Sequence, residues 1–315
     1  MTIGIDLGGT KILAARVEGG QVTAEVKVKT PLHGGPLGVV DALAKVVAEL
    51  GGPRDAVGVG APGVVDVARG LVKAAPNLPG WIEPFALGPA LAEALGGGRP
   101  VVVDNDVNVG TVAEHRLGAG RGATELLAVF VGTGVGGGLV FDGRLRRGPG
   151  GLAGEIGHVV VVPGGRVCGC GARGHLEAYA GRAGLERRAR ELEAEGYDTA
   201  LVELAKARRM TSSVWGKALT RSDAMAMELI DEAVGALGRA IAGVVTVLDL
   251  ELVVVGGGLT DRLGPSFVGR VEQAVKSEVF TGGSTVKVVP AELADRAGAI
   301  GAALVAEEIG AATGR

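Results

Sequence analysis

Three groups of residues in this chain have types and spacings that chemistry can use. The first is Asp104-Asn105-Asp106, which closes the apolar run Val101–Val103. Open α/β sheets bind ligands beyond the carboxyl ends of their strands, so acidic residues there are well placed to act. A carboxylate at such a point accepts a hydroxyl proton as general base, and Asn and Asp suit the hydroxyls of a sugar. Asn105 or Asp106 also makes a good cap for a following helix, and the two roles are compatible.

The second group is Glu155-Ile156-Gly157-His158 with the segment Cys168-Gly169-Cys170-Gly171-Ala172-Arg173-Gly174-His175-Leu176-Glu177. Both cysteines of the chain lie here, two positions apart, beside two of its four histidines. Cys-x-Cys is too short for an easy disulfide. His158, Cys168, Cys170 and His175 make a tetrahedral Cys₂His₂ zinc set with no open position, which marks a structural rather than a catalytic ion. The glycines let a short loop wrap it. The plainer alternative is two buried thiols near two surface histidines.

The third group is glycine-rich. Gly8-Gly9-Thr10-Lys11 joins two apolar runs, and its backbone amides, hydroxyl and ammonium favour an anion, although a plain hairpin turn has the same look. Gly132-Thr133-Gly134, with Gly136 and Gly137, satisfies G-x-G-x-x-G. A dinucleotide-binding reading fails on context, because these glycines lead into a strand and not into a helix. Two such turns suit the clamping of a phosphate chain. Gly256-Gly257-Gly258 follows the buried run Leu252–Val255 and allows a nucleoside close to the backbone, or is merely a loop.

The elements that must hold these groups repeat. Strands are predicted at Ile3–Leu7, Ile12–Val17 and Gln21–Val28, a helix at Leu37–Leu50 and a strand at Ala56–Gly60. A loop from Ala61 to Pro89, a helix at Pro89–Leu95, a strand at Pro100–Asp104 and a helix at Val107–Leu117 follow. The pattern then restarts with strands Leu126–Val131 and Gly138–Phe141 and a hairpin signal at Asp142-Gly143. Helices near Leu176–Ala194 and Ser222–Leu248, a strand at Leu252–Val255, a helix at Phe267–Val279, a strand at Thr285–Val289 and a helix at Gly298–Ile309 complete the chain. A strand–glycine turn–strand device opens each half, which argues for a duplicated α/β fold.

Composition narrows the classes. Glycine makes up 57 of 315 residues, yet 47% are hydrophobic, so the chain folds and is neither collagen-like nor disordered. A net charge of −3 and an aromatic content of 3% leave no footprint for nucleic acid and few stacking platforms. The N-terminus has no basic-then-apolar leader, and the longest uncharged run, Leu126 to Phe141, is shorter than a bilayer span. A cytoplasmic protein without membrane or nucleic-acid partners is expected.

The chain resembles the ROK family of sugar kinases and sugar-responsive repressors, most closely its bacterial glucokinase branch. The resemblance covers nearly the whole length. It is carried by Ile5-Asp6-Leu7-Gly8-Gly9-Thr10-Lys11, Ala61-Pro62-Gly63, Asn77-Leu78-Pro79-Gly80-Trp81, Asp104-Asn105-Asp106-Val107-Asn108, Gly132-Thr133-Gly134-Val135-Gly136-Gly137-Gly138, the cysteine–histidine segment and Gly256-Gly257-Gly258. It implies an actin-like ATPase (ribonuclease H-like) fold with two α/β domains and an active site in the cleft between them. The expected bounds are 1–116 plus 298–315 for the first domain and 117–297 for the second.

By the same resemblance Asp106 matches the catalytic base, and Asn105, Glu155, His158 and Glu177 match sugar-binding residues, with Gly63 lining the pocket. Gly8, Gly9, Thr10 and Lys11 match the first phosphate loop, Thr133 and Gly134 the second, and Gly257 and Gly258 the adenosine contact. Asp6 matches the acidic residue near magnesium. His158, Cys168 and Cys170 match three zinc ligands, while His175 stands where the family usually has a third cysteine. ATP, Mg²⁺ and a structural Zn²⁺ are therefore implied, with phosphorylation of the 6-hydroxyl of glucose, and a homodimer or homotetramer. Kinases for mannose, an N-acetylated amino sugar, fructose or allose are the nearest alternatives. The family's repressors carry a helix-turn-helix domain before the core, and here the phosphate-loop strand begins at residue 3, so a regulator is not expected.

Overall fold

The computed structural model describes residues 1–51, 56–75, 78, 80–99, 101–280 and 285–313. Asn77 and Pro79 of the motif quoted above, and Pro100, lie outside the described residues. The chain divides into two compact units, one of Met1–Arg121, Leu145–Ala153 and Asp295–Arg315, the other of Gly122–Arg144 and Gly154–Ala294. Residues 117–121, 145–153 and 295–297, expected in the second domain, thus belong to the first unit. Local bonds account for this: Leu145 packs against the apolar cluster that contains Val102, Val109 and Val305, Arg147 binds Asp104, and Asp295 takes Lys11 and Lys27.

The first unit is a five-stranded mixed sheet made of β1 (Thr2–Leu7), β2 (Lys11–Glu18), β3 (Gln21–Lys29), β4 (Ala56–Ala61) and β7 (Val101–Asn105), in the order β3-β2-β1-β4-β7. β1–β3 form an antiparallel meander, and β4 and β7 run parallel to β1. The pleat sorts the side chains into two faces. Ile3, Ile5 and Leu7 of β1 and Val57 and Val59 of β4 join Val39, Val40, Leu43, Val46 and Val47 of the helix Gly35–Glu49 in one core cluster. The alternate positions, Gly4 and Gly58, face the last helix, Ala297–Thr313. A Cβ on Gly4 would run into the Ala299 carbonyl, and one on Gly58 into the Ala302 carbonyl. Helix and sheet backbones touch here without side chains between, which is where part of the glycine excess goes.

The stretch 61–89, expected as loop, contains a short hairpin of β5 (Val64–Asp66) and β6 (Leu71–Ala74). Three- and four-residue strands are too brief for alternation to register, so the turn residues around them dominate the sequence signal.

The second unit repeats the plan with β8 (Leu126–Val131), β9 (Val135–Phe141), β10 (Arg144–Arg146), β11 (Leu252–Gly256) and β12 (Lys287–Pro290), ordered β10-β9-β8-β11-β12. β9 is antiparallel to β8, while β11 pairs parallel with β8 and β12. The long helix Ala224–Leu248 and the helix Pro265–Glu278 pack into one large core with the fully buried Trp215. Two details differ from expectation. The helix foreseen at Leu176–Ala194 is broken at Gly181, whose extended backbone (φ −69°, ψ 136°) separates Glu177–Ala180 from Arg182–Ala194. Helices Ala200–Ala205 and Ser212–Thr220 also form between the two long ones.

Candidate active site and metal centre

In the first unit β7 delivers Asp104-Asn105-Asp106 to the N-terminus of the helix Asp106–Leu117. Asn105 is the cap: its Oδ1 accepts from the amides of Val107 (2.9 Å) and Asn108 (3.1 Å). Its Nδ2 donates to the Gly63 carbonyl at 2.9 Å, joining the two sugar-pocket candidates of this unit. Gly63 sits at φ +87°, and a Cβ there would collide with the Ala74 carbonyl, so only glycine fits. Asp106 is the first helical residue, with Oδ1 accepting from the Val107 amide at 2.9 Å. The helix dipole favours a negative charge at that position.

Sequence reading missed Arg147. Its Nε and Nη2 donate to Asp104 Oδ2 at 2.8 and 2.7 Å, and Asp104 is only 1% exposed. Asp104 Oδ1 accepts from the Asn105 amide at 2.8 Å and from Asn108 Nδ2 at 3.3 Å. Asp104 is therefore a structural brace for the turn that carries Asn105 and Asp106. Its partner follows β10 in a basic run, Arg144-Leu145-Arg146-Arg147, in which nothing in the sequence singles out one arginine.

The first glycine loop turns tightly, with the Gly8 amide on the Lys11 carbonyl at 3.0 Å. Thr30 secures its carbonyls, its hydroxyl donating to Gly8 O at 2.6 Å and its amide to Thr10 O at 3.1 Å. No hydrogen bond from the Gly9 or Thr10 amide occurs among the described residues. Carbonyls held and amides left over make an anion nest. Lys11 Nζ lies 3.2 Å from Asp295 Oδ2, which Lys27 also approaches at 3.3 Å. Burial pushes the Asp6 carboxyl up from 3.8 to about 6, with Lys11 drawing it down and Asp295 adding to the rise.

In the second unit the loop 132–134 follows the same rule. The Gly132 amide donates to the Gly134 carbonyl (2.9 Å), and the amides of Arg182 and Ala183 donate to the carbonyls of Gly132 (3.1 Å) and Thr133 (2.9 Å). The amides of Thr133 and Gly134 donate to no group among the described residues. β9 begins at Val135, three residues earlier than expected, so Gly136, Gly137 and Gly138 are strand residues. This agrees with rejecting a dinucleotide fold. A Cβ on Gly137 would lie 2.7 Å from the Gly154 carbonyl, which explains glycine inside the strand. Gly257, at φ +93°, and Gly258 carry the chain from β11 straight into the helix Gly258–Leu263 rather than into a loop.

His158, Cys168, Cys170 and His175 come together, with one ligand atom from each lying within 4.8 Å of all the others. Nδ1 of His158 and Nδ1 of His175 are 3.3 Å apart, Cys170 Sγ is 3.3 Å from His175 Nδ1, and Cys168 Sγ is 3.9 Å from His158 Nδ1. Tetrahedral bonds of about 2.0–2.3 Å require ligand edges of about 3.3–3.8 Å; the two 3.3 Å edges meet that range and the 3.9 Å edge lies just outside it, so small side-chain shifts would bring the donors to zinc. Glu155 Oε2 lies 3.9 Å from His158 Nε2, on the side of the ring away from the cluster. Burial, with the neighbouring Cys170 and Glu177, holds the Cys168 thiol up at about 11.

Glu177, expected against a sugar, faces two neighbours within its own unit. Its Oε2 accepts from the Val135 amide at 3.1 Å and its Oε1 lies 3.6 Å from Cys168 Sγ. A Cβ on Gly134 would collide with this carboxylate. One side chain thus ties Val135, which follows the second glycine loop, to Cys168 of the cysteine–histidine cluster.

Each unit centres a strand within its sheet, flanked by an antiparallel meander on one side and two parallel strands on the other. The two copies are the repeated half of the actin-like ATPase fold. The ROK family model matches residues 2–309, and the chain belongs to that family. A glucokinase of Thermotoga maritima is 35% identical over 313 residues, 97% of either chain. Among solved structures, the ROK hexokinase from Thermus thermophilus is 35% identical with a TM-score of 0.82, covering 99% of both chains. A ROK family glucokinase from Streptomyces griseus, in complex with glucose and AMPPNP, is 34% identical with a TM-score of 0.83, covering 98% of this chain and 99% of that one.

Proposed function

We propose that this chain transfers the γ-phosphoryl group of ATP to the 6-hydroxyl of glucose, with Asp106 as general base. The observation that carries the reading is the pair of glycine loops, at 8–11 and 132–134, each with carbonyls tied down and amides left for phosphate oxygens. Asn105, Asp106 and Gly63 of the first unit, with Glu155, His158 and Glu177 of the second, take the sugar. Gly257 and Gly258 take the adenosine.

Phosphoryl transfer passes through a loose transition state, so the protein's task is positioning and charge neutralisation. Asp106 accepts the proton of the hydroxyl as that oxygen bonds to phosphorus. The β–γ bridging bond breaks, ADP leaves, and the proton passes from Asp106 to water. Asp6 would hold the magnesium that accompanies ATP, whose charge helps to neutralise the phosphates. The thiols and imidazoles of the cluster would hold zinc as a structural brace for Glu155 and Glu177, outside the chemistry.

Support for a homodimer or homotetramer comes from the apolar groove of the second unit, lined by Val159, Val160, Val161, Val244, Val247 and Leu248, with Val247 80% exposed. A cytoplasmic setting suits an ATP consumer with two unpaired cysteines, and no described helix is long and apolar enough to cross a membrane. The direct test is ADP release over a panel of hexoses. Glucose should give the highest kcat/KM, and Asp106→Asn should lower kcat by about 10²–10⁴ while leaving glucose binding within severalfold. An Asp106→Asn enzyme retaining a tenth of the parent's kcat refutes the base assignment.

A further inference from the structure

Arg182 occupies an unusual position beside the second phosphate loop. It opens the helix Arg182–Ala194, and its amide already closes the loop on Gly132. Its guanidinium then reaches two hydroxyls: Nη2 donates to Thr133 Oγ1 at 2.9 Å, and Nη1 donates to Ser212 Oγ at 3.0 Å. Ser212 opens the helix Ser212–Thr220, and its Oγ lies 3.8 Å from where a Cβ on Gly258 would stand. One side chain thereby connects the loop assigned to phosphates with the glycine assigned to adenosine.

The chemistry of these donors is one-sided. A guanidinium has five N–H donors and no acceptor, whereas a hydroxyl has one donor and two acceptor pairs. Thr133 and Ser212 therefore accept from Arg182, and each keeps its single O–H to donate elsewhere. Among the described residues no carboxylate pairs with Arg182. The nearest acidic influence is Glu186, whose oxygens are taken by Arg190 at 2.8 Å and by the Met210 amide at 2.9 Å. Desolvation, opposed by Glu186 and reinforced by the cation of Arg209, draws the Arg182 pKa below its ordinary value. A half-buried cation without a counter-ion, two hydroxyls each with an O–H left to donate and two unbonded amides form a surface that a polyanion completes.

We propose that Arg182 is a positioning residue of the donor site, holding the Thr133 and Ser212 hydroxyls as proton donors to the phosphates of a nucleoside triphosphate, and that Ser212 is a further contact to that nucleotide. The inference rests on the ATP-dependent reading given above. It adds two residues to the donor site and states why each hydroxyl keeps a proton to donate.

The experiment compares Arg182→Gln, Arg182→Lys, Thr133→Val, Ser212→Ala and the control Ser213→Ala. Steady-state kinetics are varied separately in ATP and glucose, and ADP binding without sugar is measured by calorimetry. Arg182→Gln should raise KM for ATP and Kd for ADP by about ten- to a hundredfold, with KM for glucose within about twofold and Tm unchanged. Arg182→Lys should restore only part of the loss, since one ammonium does not serve both hydroxyls with the geometry of a planar fork. Thr133→Val added to Arg182→Gln should cost less than Thr133→Val alone, because the hydroxyl has already lost its orientation. Ser212→Ala should weaken ADP binding severalfold, and Ser213→Ala should not. Unchanged ADP binding in Arg182→Gln, or fully additive effects of Arg182→Gln and Thr133→Val, overturns the proposal. Failure of the parent enzyme to release ADP with any hexose overturns the kinase reading instead, and ADP calorimetry still decides the role of Arg182.

Discussion

Arg147→Met offers the sharpest test of how the turn Asp104-Asn105-Asp106 is held. The substitution keeps the stem of the side chain and removes the two donors at 2.8 and 2.7 Å from Asp104 Oδ2. Asp104 is then left as a buried anion with only the Asn105 amide and Asn108 Nδ2 on its other oxygen. Removing one partner of a buried pair costs about 3–5 kcal/mol. The Arg147 side chain is 35% exposed, so water reaches Oδ2 in the variant and the lower end applies. Two charge-assisted hydrogen bonds at about 1.5 kcal/mol each lead to the same figure, about 3 kcal/mol.

For a unit of this size about 3 kcal/mol corresponds to a fall in Tm of about 6–12 °C. The loss should largely persist in 1 M salt, because in the parent Asp104 is only 1% exposed and its pairing with Arg147 is by direct hydrogen bonds that salt screens little. Calorimetry of the parent, Arg147→Met, Asp104→Asn and the double variant is the assay. The double variant should regain more than half of the loss, since a neutral amide needs no counter-charge. Hydrogen exchange at Ala153, whose amide donates to the Arg147 carbonyl, should quicken in the single variant if residues 145–153 detach with it. A Tm within 1 °C of the parent, or a double variant that melts below Arg147→Met, refutes the brace.

Three further outcomes can be checked. Because the Asp6 carboxyl titrates at about 6 when folded and near 3.8 when unfolded, its protonation supports the fold fully below pH 4. That support is lost as pH rises through about 6, and Asp6→Asn, measured by urea midpoints at pH 4, 5 and 7 without nucleotide, should abolish this slope. Purified protein should hold about one zinc per chain. Its binding to metal-free protein should release protons, because the Cys168 thiol at about 11 is protonated at neutral pH; zinc well below one per chain and unchanged in His175→Ala would falsify the ligand set. Gly58→Ala should destabilise by about 3 kcal/mol through collision with the Ala302 carbonyl, whereas Gly269→Ala, at a half-buried helical position where a Cβ meets nothing within 4 Å, should stabilise by about 0.5–1 kcal/mol; equal effects in denaturant melts refute the close-approach account.

Much of the site was legible because it is local. Glycine loops, a capping Asn105 and a Cys-x-Cys beside His175 are short-range signals, and short-range chemistry survives in a one-dimensional string. The missed residues are those whose partners are distant along the chain. Arg147 meets Asp104 across 43 positions, Arg182 meets Ser212 across 30, and Lys11 meets Asp295 across 284. An arginine on a solvated helix and an arginine bracing a buried carboxylate look alike until the fold sets the partner beside it.

By itself the sequence determined the duplicated α/β plan, since alternating and helical periodicities restart after the first half and the same glycine device opens both. It also determined which residues can ligate a metal or cradle a phosphate, because donor type is a property of the residue alone. Only the tertiary structure decided where the glycine excess serves packing, as at Gly4 and Gly58 under the last helix. It alone decided, too, that Asp104 is a brace and that Glu177 links Val135 to Cys168. The physical reason is common to all of these: burial, hydrogen-bond partnership and close backbone approach are relations between segments, and a segment's own composition does not contain them.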